Sequence, residues 1–173
     1  MTDSALPLTI AAGVYKRAPD VPTALLDTVD ITLGSLLLRQ NDGNVRKYSC
    51  TEAYDPETGT SLNCRGIPDD GIDSFLRHEL PVLIDCFAGH TAALRVNLAP
   101  KQSGDFGAMK RKLLGHPLVQ SIGEVELNLA CPNLYGGGDA PQPVLARDPD
   151  AVHQALKEWS GYPYPWAVKI APD

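Results

Sequence analysis

The sequence lacks several features that would place it in a familiar class of protein. Its four cysteines form no C-x-x-C pair and no zinc-type spacing, which disfavours a metal site or a disulfide framework and fits reduced thiols in the cytoplasm. No segment approaches the roughly 18 apolar residues of a membrane span, and the N-terminal apolar run is too short for a signal peptide. Lysine and arginine number 15 against 21 acidic residues, and this net charge of -6 disfavours a nucleic acid surface.

The chain does have enough apolar residues for one folded core. Of its 173 residues, 43% are hydrophobic, so we expect a single globular domain over residues 1–173. Short apolar segments recur along the chain and are predicted to be strands. They lie at residues 8–12, 31–37, 93–98, 124–129 and 166–170.

The segments between the later strands carry helix signals. Asp148 is suited to cap a helix that starts at Pro149 and ends before Gly161. The apolar residues on one face of that helix are predicted to be Val152, Leu156 and Trp159. A helix before Gly115 has Phe106, Met109 and Leu113 at helical spacing. In residues 72–90, Pro81 interrupts an otherwise helical pattern.

Strands that alternate with helices indicate βα units and a mostly parallel sheet. Both an open doubly wound sheet and a barrel fit this pattern, and periodicity does not decide between them. The G-x-G-x-x-G motif of a dinucleotide-binding fold is absent. Residues 39–66 have the composition of an insertion, and we expect a small β hairpin between about 46 and 64.

Polar residues occur at or just after the predicted strands, where barrel enzymes place their functional groups. Lys169, inside "AVKIAPD", is the most informative of them because a buried ammonium group is costly unless something anionic receives it. A lysine that extends to solvent from a strand edge is the alternative.

Cys131, in "VELNLACPN", is either a small buried apolar residue or a catalytic thiol. Asn128 and Asn133 flank it, and each brings two donors and an acceptor to the same turn. Amides that converge on a thiol describe a pocket for a small polar ring. Asn63, close to Gly66, is suited to a turn, so a functional role for it depends on further observations.

Six stretches together resemble the dihydroorotate dehydrogenases, the flavin-dependent barrel enzymes of pyrimidine synthesis. They come in the family's order and at about its spacing: "AAGVYK", "GSLLLRQNDGN", "LNCRGIPDDG", "VNLAPKQSGD", "VELNLACPN" and "VKIAPD". The resemblance implies a partial (β/α)₈ barrel, about its first five βα units, with a small β insertion after the second strand. It also implies FMN as cofactor and dihydroorotate as substrate.

The resemblance further implies a role for each motif residue. In the family, the residue at the position of Cys131 is the base that takes a proton from C5 of dihydroorotate while a hydride leaves C6 for N5 of the flavin. A thiol suits this role because its ordinary pKa of about 8.5 can be lowered by nearby donors or cations. The implied substrate-binding residues are Lys16, Asn63, Gly66, Ile67, Asn128 and Asn133. The implied flavin-binding residues are Ala12, Gly13, Ser35, Asn97, Asn128 and Lys169, the last facing the pyrimidine edge of the ring.

The motifs mix two classes of the family. Cysteine at position 131 is typical of cytosolic class 1, whereas "AAGVYK", with Lys16, "GSLLLRQNDGN" and "VKIAPD" resemble membrane-bound class 2. Arg65 stands where the family's "N-x-M-G" stretch usually has an apolar residue. The resemblance therefore leaves the electron acceptor open between fumarate, NAD and a quinone.

Length is the larger departure from the family. A complete (β/α)₈ barrel takes about 250 residues and usually binds phosphate in the loops after strands 7 and 8. Since the chain ends with its fifth predicted strand, we expect a truncated or split gene product. A homodimer or a complementary C-terminal chain would then cover the open sheet edges.

Two other functions remain compatible with the sequence. One is a non-catalytic remnant that acts as a structural or interaction piece. The other is a different flavin barrel, such as a dihydropyrimidine dehydrogenase domain or a tRNA dihydrouridine synthase. The net charge of -6 argues against the last of these, which needs a basic RNA-binding surface.

Overall fold

A parallel sheet of five strands forms the centre of the molecule. The computed structural model describes residues 8–12, 21–44, 50–90, 93–132 and 144–170. The strands of the sheet are β1 (Thr9–Ile10), β2 (Asp30–Leu36), β5 (Leu94–Leu98), β6 (Glu124–Asn128) and β7 (Trp166–Lys169). They lie side by side in the order β1-β2-β5-β6-β7, all parallel, and the sheet curls into half of a (β/α)₈ barrel. The five predicted strands and the partial barrel are confirmed.

The two faces of this sheet differ in chemistry. Successive side chains of a strand point to opposite faces, so every second residue shares one face. On the convex face, apolar residues such as Val96 and Leu127 are fully buried in the core beneath the helices. On the concave face, polar residues are opposite one another in the register, where Arg95 pairs with Glu124 and Asn97 pairs with Glu126. The inside of the curled sheet is therefore polar.

The segment after β2 contains the predicted hairpin. Its strands are β3 (Glu52–Asp55) and β4 (Thr60–Asn63), which pair antiparallel with Glu52 opposite Asn63. Asp55 closes the turn, because its side chain accepts hydrogen bonds from the backbone N–H of Glu57 at 3.0 Å and from the Thr58 hydroxyl at 2.6 Å. These bonds, the Thr58 one first, lower the pKa of the Asp55 carboxyl.

The region around Pro81 is a continuous helical segment with a widened turn. It consists of α1 (Ile72–Ser74), a π-helical turn (Phe75–Glu79) and α2 (Leu80–Phe87). Pro81 has no N–H, and in a regular helix its ring would crowd the carbonyl four residues earlier. In the widened turn the Leu80 N–H instead bonds the carbonyl five residues earlier, that of Phe75. Pro81 therefore widens the helix and does not end it.

Two further helices cover the sheet, α3 (Asp105–Leu114) and α4 (Pro149–Trp159). The predicted cap of α4 is present, since Asp148 accepts hydrogen bonds from the N–H groups of Asp150 and Ala151. The predicted apolar face of α3 is confirmed, because its three apolar residues are buried. The prediction for Leu156 in α4 is wrong: Leu156 flanks the buried stripe and is exposed, and Ala155 is buried in its place beside Trp159.

Tyr162, just after α4, is buried together with its hydroxyl group. The ring packs against Trp159, with centroids 4.8 Å apart, and against Tyr164 at 5.6 Å. Within the described parts of the chain the hydroxyl has no hydrogen-bond partner. Burial disfavours the charged phenolate and, with a smaller contribution from Tyr164, raises the pKa of Tyr162 to about 12.

This environment predicts a loss of stability at high pH. An unfolded tyrosine ionises near pH 10, whereas folded Tyr162 stays neutral until about pH 12, so the stabilisation is complete below pH 10 and is lost as the pH rises toward 12. We expect the free energy of unfolding to fall by about 1 kcal/mol by pH 11, relative to Tyr162→Phe. Urea unfolding of both proteins at pH 8 and pH 11 measures this difference, and equal losses in the two would contradict it.

Candidate functional site

A cavity of about 470 Å³ lies at the carboxyl ends of the strands. Its wall contains residues from Ala12 to Lys169, because the carboxyl ends of parallel strands all lie at the same edge of the sheet. Polar residues in the wall include Ser35, Asn63, Arg65, Asn128, Cys131 and Lys169.

A hydrogen-bonded row of amides forms the base of this cavity. The side chain of Asn128, which lies in the wall, donates to the Ser35 hydroxyl at 3.1 Å and to the side-chain oxygen of Asn97 at 3.4 Å. Asn97 is fully buried and donates to the carboxylate of Glu126. The oxygen of Asn128 accepts from the backbone N–H of Ala130 at 3.1 Å. Both ends of the Asn128 amide are thereby fixed in orientation.

Gly34 allows two strands to approach closely beside this row. Its φ is +109°, and a Cβ added there would lie 2.6 Å from the carbonyl oxygen of Asn97, which is far closer than atoms tolerate. The register between β2 and β5 shifts at this point, and Ser35 has no partner in it. At this irregularity the hydroxyl of Ser35 lies beside the side-chain amide of Asn128.

Lys169 is the last residue of β7 and pairs in register with Asn128 of β6. Its side chain is half-buried in the cavity wall. In the part of the chain that the structure describes, its ammonium group makes no hydrogen bond or ion pair with a protein group. A half-buried cation that faces a cavity in this way is suited to an anionic ligand or an electron-rich ring.

Cys131 lies three residues after the end of β6. It is half-buried, and it packs with Ile67 against the fully buried Leu37 and Ala99. Since it also lines the cavity, its thiol lies between an apolar support and the open space. A reactive thiol needs such access to a cavity.

The rim of the cavity comes from the hairpin and the turn that follows it. Asn63, the last residue of β4, lies in the wall with Gly66 and Ile67. Arg65 forms an ion pair with Glu52 at 2.7 Å, and both side chains are about half exposed. Such an exposed pair contributes little to stability, and because Glu52 also lies in the wall, the pair adds no net charge to the cavity mouth.

Below the amide row, the concave face carries an ion network. Arg95 donates to Asp30 at 2.8 Å and to Glu124 at 2.9 Å. The Asp30 carboxylate also accepts from the backbone N–H of Ala93 at 2.8 Å. The three charged side chains are about one fifth to one quarter exposed. This network lies at the opposite end of the strands from the cavity and holds β2, β5 and β6 together.

The structure brings most of the predicted site residues together. Those in the cavity wall are Ala12, Ser35, Asn63, Gly66, Ile67, Asn128, Cys131 and Lys169. Asn97 lies behind the wall and is linked to it by the hydrogen bond from Asn128. The predicted residues outside the described ranges are Gly13, Lys16 and Asn133.

Several polar residues at or behind this wall were not singled out from the sequence. Four acidic residues lie in the wall itself: Glu52, Asp69, Asp70 and Glu79. Glu126, Asn41 and Asn44 lie behind it. The signal for Glu126 is the alternation in "EVELN", which places Glu124, Glu126 and Asn128 on one face of a strand. The side chain of Asp69 accepts from the N–H groups of Leu37 and Gly71 and so fixes the loop, a contact that no sequence spacing reveals.

The described residues show neither a candidate metal site nor a helix that could span a membrane. These residues contain no group of three or more histidine, cysteine or acidic side chains placed to hold a metal ion. None of their helices is long and apolar enough to cross a membrane.

The sequence as a whole has known relatives. It matches the family profile described as dihydroorotate dehydrogenase over residues 3–173. It is 29% identical over 143 residues to the catalytic subunit of dihydroorotate dehydrogenase B (NAD(+)) from Bacillus cereus strain B4264, a match that covers 82% of this chain and 42% of the relative. The protein of the same description from Thermoanaerobacter sp. strain X514 is 30% identical over 128 residues, which are 74% of this chain and 37% of that one.

The fold also has a counterpart among solved structures. The crystal structure of DHODH from Eimeria tenella in complex with ferulenol superposes with a TM-score of 0.61 at 18% identity. The superposition covers 96% of this chain and 49% of that one. The chain therefore spans about two fifths of the length of the curated relatives above and about half of this structure.

Proposed function

The chain belongs to the dihydroorotate dehydrogenase family, and on that premise we propose that it carries the catalytic half of a cytoplasmic, FMN-dependent oxidation of dihydroorotate to orotate in pyrimidine biosynthesis. The observation that supports this most directly is the joint placement of Cys131 and Lys169 in one cavity wall with the amides of Asn63 and Asn128. A thiol, a cation and side-chain amides are the groups that this reaction needs.

The size of the cavity and the donors in its wall support a flavin site. Its volume of about 470 Å³ lies within the usual range for small-molecule and cofactor sites. Lys169, Ser35 and the Asn128–Asn97 pair supply a cation and hydrogen-bonding groups on one side, and Ala12 supplies a small apolar contact. FMN, when bound, supplies the acceptor for the hydride from C6. Gly13, outside the described residues, belongs to the same proposed flavin site.

The chain's own residues then divide the remaining tasks. Cys131, as thiolate, takes the proton from C5 of dihydroorotate, and the electron pair of that C–H bond forms the C5=C6 double bond as the hydride leaves C6. Asn63 and Asn128 hold the ring so that C5 faces the thiol. Gly66 and Ile67 lie where they can receive the substrate carboxylate. Lys16 and Asn133, outside the described residues, complete the proposed substrate site.

A partner is part of this proposal. The relatives from Bacillus and Thermoanaerobacter are described as catalytic subunits of an NAD(+) enzyme. We propose by analogy that this chain also assembles with a second subunit and that NAD(+) receives the electrons in the end. The edge strands of the described sheet are β1 and β7. Further barrel strands, from a complementary chain or a second copy, would pair with these edges.

The test is reduction of bound flavin by substrate. The protein, purified with added FMN and freed of excess, should retain yellow flavin, and anaerobic dihydroorotate should bleach it, because C5–C6 oxidation passes two electrons to the ring. Dihydrouracil, the same ring without the carboxylate, is the matched control and should bleach it far more slowly. A protein with a folded circular dichroism spectrum that binds no FMN would contradict the proposal and favour a structural or interaction role.

A further inference from the structure

The turn at residues 64–67, of which residues 65–67 line the cavity, has an unfavourable backbone conformation that the side chain of a neighbouring loop holds in place. Ile67 has a φ of +55°, a left-handed conformation that is rare for a β-branched residue. Such a conformation persists only where the surroundings fix it. Asn41, from the loop after β2, does so by donating from one side-chain nitrogen to the carbonyls of Gly66 at 2.8 Å and Ile67 at 2.7 Å.

The orientation of the Asn41 amide is fixed in turn. Its side-chain oxygen accepts from the Lys101 ammonium at 3.0 Å, so its nitrogen must face the turn. Its backbone exchanges two hydrogen bonds of 2.8 Å with Asp69, which anchors the residue itself. Asn41 is therefore a rigid donor, held at both its backbone and its side chain.

Asn44 continues the same pattern along the turn. Its side chain donates to the carbonyl of Cys64 at 2.7 Å, and its backbone N–H donates to the carbonyl of Arg65 at 2.8 Å. Gly43 is required beside it, because a Cβ there would lie 2.3 Å from the Arg65 carbonyl oxygen. Four successive carbonyls of the turn thus accept hydrogen bonds from residues 41–44.

This arrangement sets the direction of the N–H groups. In a trans peptide the N–H of one residue points opposite to the carbonyl of the residue before it. With the carbonyls of residues 64–66 directed at residues 41–44, the N–H groups of Arg65, Gly66 and Ile67 point away from that loop. These three residues line the cavity, and within the described ranges none of the three N–H groups donates to a protein acceptor.

We infer that Asn41 is a positioning residue that determines affinity for the substrate's carboxylate. It acts through the turn: by holding the carbonyl of Gly66, it keeps the N–H of Ile67, which belongs to the same peptide, directed at an anion in the cavity. Its bond to the Ile67 carbonyl, whose peptide with Pro68 has no N–H, holds the left-handed backbone of Ile67 in place. The inference rests on the proposed function for the identity of that anion. It adds a determinant of specificity that touches neither substrate nor flavin.

Asn41→Asp tests the inference, because aspartate has the same size but cannot donate to the two carbonyls and repels them. In the FMN-loaded protein we expect the affinity for orotate to fall about 10- to 100-fold, the usual effect of losing hydrogen bonds to a charged group. Affinity for uracil, the same ring without the carboxylate, should change less than about threefold, since the rest of the site is intact. Titration calorimetry measures both, with Gln40→Ala, an exposed neighbour, as the matched control.

Each outcome either supports or contradicts the role of Asn41. Equal orotate affinity in Asn41→Asp and the unmodified protein would overturn the inference, as would an equal loss for orotate and uracil, which indicates a structural role only. An unmodified protein that binds no orotate would refute the proposed function as well. If the variant does not fold, NMR of the unmodified protein decides: orotate, and not uracil, should shift the amide resonances of Gly66 and Ile67, and unchanged resonances would overturn the inference.

Discussion

Replacing Cys131 with alanine should slow the reduction of bound FMN by dihydroorotate about 10²- to 10⁴-fold, the usual contribution of a positioned base. The substitution removes the proton acceptor and leaves the groups proposed to hold the flavin in place, so FMN content should not change. Anaerobic stopped-flow absorbance in the FMN-loaded protein measures the rate. Serine at this position should recover activity only at high pH, because a hydroxyl loses its proton far less readily than a thiol.

Cys86 provides the control for this experiment. It is an exposed, free cysteine on α2, away from the cavity wall, so Cys86→Ala changes the thiol count without changing the site. That variant should bleach at the parental rate. If Cys131→Ala also bleaches at the parental rate, Cys131 is an apolar support for Ile67, Leu37 and Ala99 and another group is the base.

The arrangement of strands could be predicted because each strand carries its own signal. Five short apolar segments, with helix signals between the later ones, are sufficient to indicate parallel βα units, and the cap at Asp148 lies where the sequence places it. Periodicity predicts less reliably which residues are buried at the edge of a helix's apolar face. Residues 152, 156 and 159 and residues 152, 155 and 159 both recur at helical spacing, and only packing decides that Ala155 is inside and Leu156 outside.

The candidate site could be predicted in part for a different reason. Residues at the ends of parallel strands converge whatever their separation in sequence, which is why Ser35, Asn128 and Lys169 share a wall. The depth of a residue does not follow from that rule. Asn97 lies on the same face of the sheet as these residues but is fully buried, because it pairs with Glu126, two residues before Asn128, and so lies deeper in the sheet.

The supporting loop could not be predicted at all. The contacts of Asn41 with Gly66 and Ile67 join residues about 25 positions apart, through a conformation of Ile67 that its β-branched side chain disfavours. No local propensity indicates such a turn. It exists because hydrogen bonds from a neighbouring loop outweigh the local preference, and this is also what makes it a candidate for function.

The second large effect is expected at the other end of the strands, at Arg95. Its guanidinium is the only cation that Asp30 and Glu124 contact among the described residues, and both carboxylates are about four fifths buried. Arg95→Met keeps much of the side chain's length but leaves two carboxylates facing each other without a cation. Removing one member of a buried ionic group typically costs about 3–5 kcal/mol, and with the partial exposure here we expect a loss of about 2–4 kcal/mol in the free energy of unfolding.

A triple variant separates the charge effect from the loss of packing. Combining Arg95→Met with Asp30→Asn and Glu124→Gln removes all three charges, and the amide introduced at position 30 keeps an oxygen for the N–H of Ala93. Because the unpaired carboxylates cause most of the expected loss, the triple variant should recover more than half of it. Urea unfolding at pH 7 gives the free energies of the parent, the single variant and the triple variant. A single variant as stable as the parent would show that solvation by water is sufficient for these carboxylates without Arg95. A triple variant no better than the single one would assign the loss to packing against the arginine stem.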